Sequence, residues 1–549
     1  MASVDMHETH RTQSLRAADM LAALMLAFAA LLVGGMAIAA PFLSTFYTDV
    51  HAFVVGPDYS EIVTMLDTGL YTVVALPALA TAILLIVFCG LNRTLRHLPT
   101  TPVAVCSVAI IFAVAVAWLF QLNTETNIYA DSLRLDTYAK ALLEGDYAVF
   151  SKDLGDGVPY LSIYPFQSGS VWLLAGVYAL FGSGNQLPFQ LLNAVCVALT
   201  AGCMIAICKM LFSSRGATNA CSLLLVAFLP LPLSAALVYG NAIGLGLISL
   251  VLALNVYAMR CQDAPRHRWT AFGVSCLVCA IALTVKSTFV LMLIALVLTW
   301  AIVLLRERRL RFLLVVLAAA LVVNWAAGIP VMLLEHTVGV DFGSGMPKSS
   351  WIAMGMEWSM YLDKPGWWSG DYALNFADTG MDGDAQNAFA LQHIGWSIST
   401  FIHDPLFALR FFGVKLITEW LEPTFQSIYY SATSLADATT PLAREVIGRG
   451  HLAHRVIIAY MDAFQNLLYL SGAVGLVCTV RHHRAFGPAV ILLAVSFLGG
   501  FACYLLWEAK SVYVFPFALM LFPFAGYGVD ALCGAVRTCM ARGTVRAES

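Results

Sequence analysis

The chain has 549 residues, of which 60% are hydrophobic and 11% are charged, and its mean hydropathy is +0.80. This composition excludes a soluble globular protein, because apolar runs of about 18 or more residues with almost no charge are typical of transmembrane helices. The formal net charge of -3 is uninformative for a membrane protein, and the sequence has no basic face of the kind that binds nucleic acid. We therefore expect an all-α polytopic membrane protein.

Thirteen apolar segments have the length and composition of membrane spans, which predicts about 12–13 transmembrane helices. They cover residues 18–42, 68–91, 102–122, 168–184, 188–212, 217–238, 241–259, 269–286, 288–305, 312–335, 456–480, 486–507 and 511–533. Thirteen cysteines are present, and none falls in the long polar segments 123–167 and 336–455. This placement predicts no disulfide framework.

Short connections rich in Lys and Arg predict the orientation, because such loops stay in the cytoplasm. Both termini are then cytoplasmic, and the polar segments 43–67, 123–167 and 336–455 face outward. Seven apolar segments lie between the two large outward loops, where an even number is required. Either the short segment 168–184 is a half-helix, or two neighbours in the region 168–212 form a re-entrant pair.

Four regions follow from this pattern. Residues 1–100 form an N-terminal transmembrane hairpin, and residues 101–335 form the main bundle with the first outward loop. Residues 336–455 form the second outward region, and residues 456–549 provide the last helices and a cytoplasmic tail. Within the second region, residues 404–420 have an early Pro and an aromatic face, which predicts an amphipathic interfacial helix anchored by its Trp and Lys.

The first outward loop, residues 123–167, is long and polar in an otherwise apolar chain. Loops longer than about 12–15 residues are usually functional or disordered, and residues 131–144 of this one have a helical pattern. Asp131 begins that helix, where a carboxylate either caps free N–H groups or acts as a general base. The same alternatives apply to Asp136, one turn further on. Tyr164 and Gln167, at the end of the loop, either belong to the interface or line a sugar-binding cleft.

Further candidate residues lie near the ends of apolar segments. Lys286 either reaches water or contacts a lipid phosphate, since a buried lysine without an anion is costly. Glu508 and Tyr513 lie at the start of the last span, where either they bind the substrate or an exposed turn is the simpler interpretation. Trp367 and Trp368 either stack on a sugar or pack the second outward loop onto the bilayer. The scattered histidines have no zinc-binding spacing.

Taken together, these motifs resemble the GT-C superfamily of membrane glycosyltransferases, and in particular glycosyltransferase family 39-like proteins of bacterial cell envelopes. The order that carries the resemblance is an Asp in the first large outward loop, a Tyr-Pro motif, a mid-chain Lys and an E-x4-Y-x2-P start to the last helix. Phe166 stands where these relatives usually have His, and no second acid is adjacent to Asp131. The matching residues are Asp131, Leu135, Ala139, Gly145, Asp146, Tyr147, Tyr164, Pro165, Gln167, Gly169, Leu180, Phe181, Gly182, Lys286, Pro347–Gly355, Pro365, Gly366, Trp367, Pro405, Phe411, Lys415, Trp420, Glu508, Tyr513 and Pro516.

The resemblance implies a GT-C-like fold and transfer of a sugar from a polyprenyl-phosphate donor, on the outer face of the plasma membrane, in cell-envelope glycan assembly. Asp131, with Asp136 as a second candidate, would be the base, and Lys286 and Lys348 would bind the donor phosphate. The acceptor would be a glycan, lipid or protein hydroxyl. No cofactor is assigned, and the requirement for a divalent cation stays open.

Three other functions remain open. A transporter or flippase of a lipid-linked sugar would place ionisable residues near the middle of its spans, and the spans here carry almost none. A polymerase or ligase of the O-antigen type would favour Arg- and His-rich outward loops, whereas these loops are richer in Asp and Trp. A membrane scaffold without activity is the third alternative.

Overall fold

A computed structural model describes residues 2–49, 61–65, 75–122, 131–155, 157–359, 364–432, 440–448 and 450–547. The predicted loop residues 123–130 lie outside this part of the chain. The helices are α1 (Ala2–Leu43), α2 (Ala75–Leu95), α3 (Thr100–Leu119), α4 (Asp131–Glu144), α5 (Tyr160–Ile163), α6 (Ser168–Phe181), α7 (Leu187–Phe212), α8 (Arg215–Ala227), α9 (Pro230–Leu233), α10 (Gly240–Arg260), α11 (Pro265–Val285), α12 (Val290–Glu307), α13 (Leu313–Ala326), α14 (Ile329–Val338), α15 (Lys348–Gly355), α16 (Gly370–Asp378), α17 (Gly383–His403), α18 (Pro405–Trp420), α19 (Ser427–Ala432), α20 (Pro441–Ile447), α21 (Leu452–Phe486), α22 (Ile491–Leu506), α23 (Ser511–Ala518) and α24 (Phe522–Ala547).

Two short antiparallel hairpins accompany the helices. Strands β1 (Thr45–Asp49) and β2 (Glu61–Met65) pair with Thr45 opposite Met65. Strands β3 (Trp358–Ser359) and β4 (Lys364–Pro365) pair with Trp358 opposite Pro365. The described chain is otherwise helical, as the composition predicts.

Eleven helical segments of the described residues are long and apolar enough to cross a membrane. A twelfth consists of α8 and the helix Pro230–Ala236, which are bent by 50° at the break between them. Pro230 and Pro232 explain this break, since proline removes a helical hydrogen bond and clashes with the preceding turn. Twelve of the thirteen predicted segments therefore have a counterpart.

The exception is 168–184, whose counterpart α6 has only 14 residues and is not among the candidate spans. Fourteen residues of α-helix, at a rise of about 1.5 Å each, are too short for a hydrocarbon core of about 30 Å. Six candidate spans then remain between the two large outward loops. This even number removes the topological conflict, because both loops now belong on the same side.

The bundle is held together by close packing of long helices, with α21 against α1 and α24, and α10 against α7 and α11. Helices α21 and α24 approach each other at Gly475 and Gly528. A Cβ atom at Gly475 would lie 1.8 Å from the carbonyl oxygen of Phe524, and one at Gly528 would lie 1.9 Å from that of Ser471. Small residues at such contacts allow helix backbones in membranes to pack tightly.

The amphipathic helix predicted over 404–420 is present as α18, and Asp404 caps its start by accepting a hydrogen bond from the backbone N–H of Phe407 at 2.9 Å. The predicted anchoring role of its Lys and Trp is wrong. Lys415 and Trp420 are 0% and 1% exposed. Both side chains point into the protein, because α18 packs against α17, α22 and α23.

Candidate functional site

A cavity of about 1050 Å³ lies where elements of the long polar segments 123–167 and 336–455 meet the ends of candidate membrane spans. Its walls come from the start of α4, the segment 163–167, the break between α11 and α12, the loop before α15, and the break between α22 and α23. Nine of the ten site residues predicted from the sequence line it. They are Asp131, Tyr164, Gln167, Lys286, Lys348, Trp367, Trp368, Glu508 and Tyr513.

Lys286 lies in the break between α11 and α12, where its extended backbone (φ -149°, ψ 101°) interrupts the two helices. Its Nζ atom is 4.2 Å from the centre of the Tyr239 ring. Burial lowers the pKa of Lys286 to about 8, while Asp131 and Glu508 act in the opposite direction. A half-buried cation beside an aromatic face is attracted by the ring, and an anion entering the cavity would stabilise the charge of Lys286.

Two tyrosines connect Lys286 to Asp131. The Lys286 amine lies over the Tyr239 ring, and the hydroxyls of Tyr239 and Tyr160 interact with each other. The Gln167 side-chain amide donates a hydrogen bond to the Tyr239 hydroxyl, and the Tyr160 hydroxyl donates one to Asp131 Oδ1 at 3.1 Å. Burial, reinforced by the nearby Asp131 carboxylate, raises the pKa of Tyr160 well above its ordinary value. Tyr160 therefore stays protonated and orients the carboxylate of Asp131.

The break between α22 and α23 supplies a second charged group to the cavity. Glu508 is 4% exposed, and its Oε1 atom lies 3.4 Å from the Tyr513 hydroxyl and 3.9 Å from Lys510 Nζ. The exposed turn that is the simpler interpretation of this segment in the sequence is wrong, because Glu508 is buried. The structure places all three side chains in the wall of the same cavity as Lys286.

The hairpin of β3 and β4 delivers Trp367 and Trp368 to the cavity. The turn needs Gly366, which has a φ of +72°, because a Cβ atom there would lie 2.8 Å from Lys415 Cε and 2.9 Å from the carbonyl oxygen of Gly355. Trp367 is 1% exposed, with Lys364 Nζ 4.5 Å from its ring centre. Trp368 is 38% exposed, so it presents far more of its surface to a ligand.

Asp136 is the predicted site residue that the structure does not bring to the cavity. It is 4% exposed and accepts a hydrogen bond from the Tyr178 hydroxyl at 2.5 Å. Its other carboxylate oxygen pairs with Lys140 at 2.7 Å. The bond from Tyr178 ties α4 to α6, while the pair with Lys140 lies within α4. We leave Asp136 out of the proposed reaction.

Sequence reasoning missed several residues of the wall, among them Arg134, Tyr239, Trp351, Asp384 and Asn387. Tyr239 immediately precedes α10, and its place at the end of an apolar segment was the available signal. Asp384 and Asn387 belong to a helix far along the chain, and only folding brings them to Asp131. No group of three or more His, Cys, Asp or Glu side chains that could hold a metal ion occurs within the described ranges.

Part of the chain matches the model of a known protein family. The model of a family described as dolichyl-phosphate-mannose-protein mannosyltransferase matches residues 169–329. This match confirms the resemblance to GT-C glycosyltransferases for that region. The matched region includes Tyr239 and Lys286 and ends before α15, and Asp131 precedes it. No curated protein gives a significant match to the chain.

Two solved structures are similar to the chain at low identity. One is ArnT from Cupriavidus metallidurans bound to undecaprenyl phosphate, with 16% identity, 77% of each chain covered and a TM-score of 0.33. The other is the archaeal oligosaccharyltransferase AglB from Archaeoglobus fulgidus in complex with an inhibitory peptide and a dolichol-phosphate, with 11% identity and a TM-score of 0.40. The second match covers 80% of this chain and 52% of that one. These values are too low to assign a function.

Proposed function

We propose that this protein is a membrane glycosyltransferase that moves a sugar from a polyprenyl-phosphate donor to an acceptor hydroxyl at the outer face of the membrane. The observation that carries the proposal is one cavity that holds a cation, Lys286, and a carboxylate, Asp131, joined through Tyr239 and Tyr160. The match of residues 169–329 to a mannosyltransferase family supports it.

Lys286 is the residue that we assign to the donor phosphate. A lysine at the end of a membrane span is costly unless it meets water or an anion, and the phosphate of a lipid-linked sugar is such an anion. As the bond between the sugar and the phosphate breaks, negative charge grows on the leaving phosphate, and a fixed cation stabilises that charge. Lys348 lines the same cavity and is exposed at the start of α15, where it is the second candidate contact.

Asp131 is the residue that we assign as general base. It accepts the proton of the acceptor hydroxyl while the hydroxyl oxygen attacks the anomeric carbon of the donor sugar. The new bond joins the anomeric carbon to the acceptor oxygen, and the bond to the phosphate oxygen breaks, which releases polyprenyl phosphate. Attack from the face opposite the leaving phosphate inverts the anomeric configuration.

The position of the charged residues favours an enzyme over a transporter or flippase. The ionisable Asp, Glu, Lys and Arg residues of the cavity wall come from helix breaks and outward-loop elements rather than from the middle of candidate spans. A transport pathway would place such residues at mid-membrane depth. The geometry fits chemistry at the membrane surface.

Sugar transfer with the variant Asp131→Asn tests the proposal. Membranes that contain the wild type or the variant would be supplied with radiolabelled polyprenyl-phosphate sugars and with cell-envelope acceptors. Asparagine keeps the shape of the side chain but cannot take the proton, so we expect transfer to fall by about 10²–10⁴-fold. Glu144→Gln, an exposed carboxylate at the end of the same helix, is the matched control and should transfer normally.

The other outcomes point to different conclusions. Transfer retained by a normally folded Asp131→Asn protein would reduce Asp131 to a helix-start residue and would make Glu508 the next candidate base. A wild type that moves lipid-linked sugars across vesicle membranes without transferring them would support the flippase alternative.

A further inference from the structure

The cavity has a second group of lining residues that comes from the second outward loop. With about 1050 Å³, it lies slightly above the range of about 300–1,000 Å³ that is typical of small-molecule sites. Trp351, Trp368, Asp384 and Asn387 line it together with the residues assigned to the donor. We infer that these four residues form an acceptor subsite for a neutral carbohydrate. The inference rests on the proposed function, whose acceptor it defines.

The aromatic residues of this subsite, Trp351 and Trp368, form a rigid surface that we call the ledge. The Trp368 indole N–H donates a hydrogen bond to the Tyr164 hydroxyl at 3.3 Å, which fixes the orientation of a half-exposed ring. The rings of Tyr164 and Trp351 are 6.1 Å apart, and Trp351 stacks on Trp507 at 6.1 Å and 12°. Rigid indole rings with one open face bind large, flat, partly apolar ligands at little entropic cost. The C–H face of a pyranose ring is such a surface.

The polar residues of the subsite match sugar hydroxyl groups. Asp384 and Asn387 are separated by three residues on α17, so they share one face of the helix. The cap residue Asp382 accepts hydrogen bonds from the backbone N–H groups of Asp384 at 2.8 Å and Ala385 at 3.2 Å, which fixes the first turn. The Asn387 side-chain oxygen accepts from Ser349 at 2.7 Å. A carboxylate that accepts and an amide nitrogen that donates together suit neighbouring hydroxyls, which do both.

The ledge leads to the proposed base. The rings of Tyr164 and Tyr160 are 4.8 Å apart, and the Tyr160 hydroxyl is the group that holds Asp131. A sugar stacked on Trp368 therefore lies beside the tyrosines that border the catalytic carboxylate. This continuity connects the subsite to the acceptor side of the reaction.

The charges of the wall favour a neutral acceptor. The acids on the acceptor side, Asp131 and Asp384, are matched in formal charge by two bases of the same wall, Arg134 and Lys348. Of the cations that we assign to the phosphate, Lys286 belongs to a helix break and Lys348 belongs to the second loop. No excess of charge on the acceptor side selects an acidic or a basic ligand.

Binding measurements on the full-length protein in lipid nanodiscs test this inference. The probes are neutral methyl hexopyranosides and disaccharides, a Ser/Thr-containing peptide, and, separately, undecaprenyl phosphate. We expect saturable saccharide binding by the wild type and a dissociation constant about tenfold higher for Trp368→Ala. Asp384→Asn should also weaken saccharide binding, and undecaprenyl phosphate binding should stay unchanged in both variants. Trp396→Ala, which removes an indole that is 55% exposed on the same helix α17 and outside the cavity wall, is the matched control.

The outcomes separate the subsite from the proposed function. Intact undecaprenyl phosphate binding without saccharide binding overturns the subsite and leaves the proposed function standing. Saccharide binding that depends on Trp368, without any binding of undecaprenyl phosphate, supports the subsite and contradicts the proposal that the donor is a polyprenyl-phosphate sugar. Peptide binding that depends on Trp368 overturns the assignment of a carbohydrate and makes the acceptor a protein.

Discussion

Two lysines of this protein, Lys286 and Lys415, have pKa values lowered to the same extent in different settings. Burial lowers the pKa of Lys286 and of Lys415 to about 8 in each case. Lys415 donates hydrogen bonds to the carbonyl oxygens of Gly355 and Trp507, both at 2.6 Å, whereas Lys286 lines the cavity over the Tyr239 ring. A lowered pKa therefore reports burial, and the partners of the amine decide whether a lysine supports the fold or binds a ligand.

The structural role of Lys415 follows from what its two bonds connect. Gly355 ends α15, Trp507 ends α22, and Lys415 itself lies in α18. The amine thus joins three elements beneath Gly366, the turn that carries Trp367 and Trp368. Lys415 therefore supports this part of the cavity wall from behind, although it does not line the cavity itself.

The largest expected effect is on the fold, from Lys415→Met. Methionine fills a similar volume but leaves two buried carbonyl groups without a donor, at a cost of about 1–3 kcal/mol for each. We expect a clearly lower melting temperature in detergent and reduced yield, while the folded fraction keeps its affinity for polyprenyl phosphate. A normal melting temperature would contradict the structural role.

Lys286→Met should reduce sugar transfer and leave the fold intact, in contrast to Lys415→Met. We expect sugar transfer to fall by about 10²–10³-fold, which is typical when one fixed group that stabilises developing negative charge is removed, with an unchanged melting temperature. Lys152→Met, at an exposed lysine of the first outward loop, is the matched control for loss of charge. Equal transfer by both variants would remove Lys286 from the donor site.

The pH dependence of polyprenyl phosphate binding should distinguish Lys286 from an exposed lysine. Lys286 is protonated below a pKa of about 8, and only the protonated amine attracts the donor phosphate. Affinity for polyprenyl phosphate should be constant below this pH and fall by about tenfold for each unit above it. An exposed lysine would keep its charge to about pH 10.4. Lys286→Arg should abolish the limb near pH 8, because arginine stays charged.

The smallest effect is expected from the aromatic partner of Lys286. A cation over an aromatic ring gains about 1 kcal/mol, so Tyr239→Leu should weaken polyprenyl phosphate binding by about fivefold. Tyr239→Phe keeps the ring and loses only the hydroxyl that accepts from Gln167, and its binding should stay near that of the wild type. Equal losses in the two variants would assign the effect to the hydroxyl. Calorimetry on protein in nanodiscs measures both.

The pattern of apolar and polar residues determined the helices and most of the site. Apolar runs predicted twelve spans correctly because a span must satisfy its backbone groups within its own segment. The sequence also located α4, α18 and nine residues of the cavity wall. These nine residues are polar or aromatic side chains. Gln167, Lys286 and Glu508 lie at the ends of apolar segments, where an ionisable or hydrogen-bonding group is unexpected, and Lys348, Trp367 and Trp368 lie in the long polar segment 336–455.

Only the tertiary structure decided which of these residues meet. Asp131 and Asp136 look alike in the sequence, yet Tyr178 and Lys140 bind one carboxylate while Tyr160 holds the other at the cavity. Lys286 and Lys415 likewise differ in the groups that they contact. The two carbonyl groups that accept from Lys415 lie 60 and 92 residues away from it in the chain. Contacts of this kind depend on how helices pack against each other, so they cannot be predicted from the local pattern of apolar and polar residues.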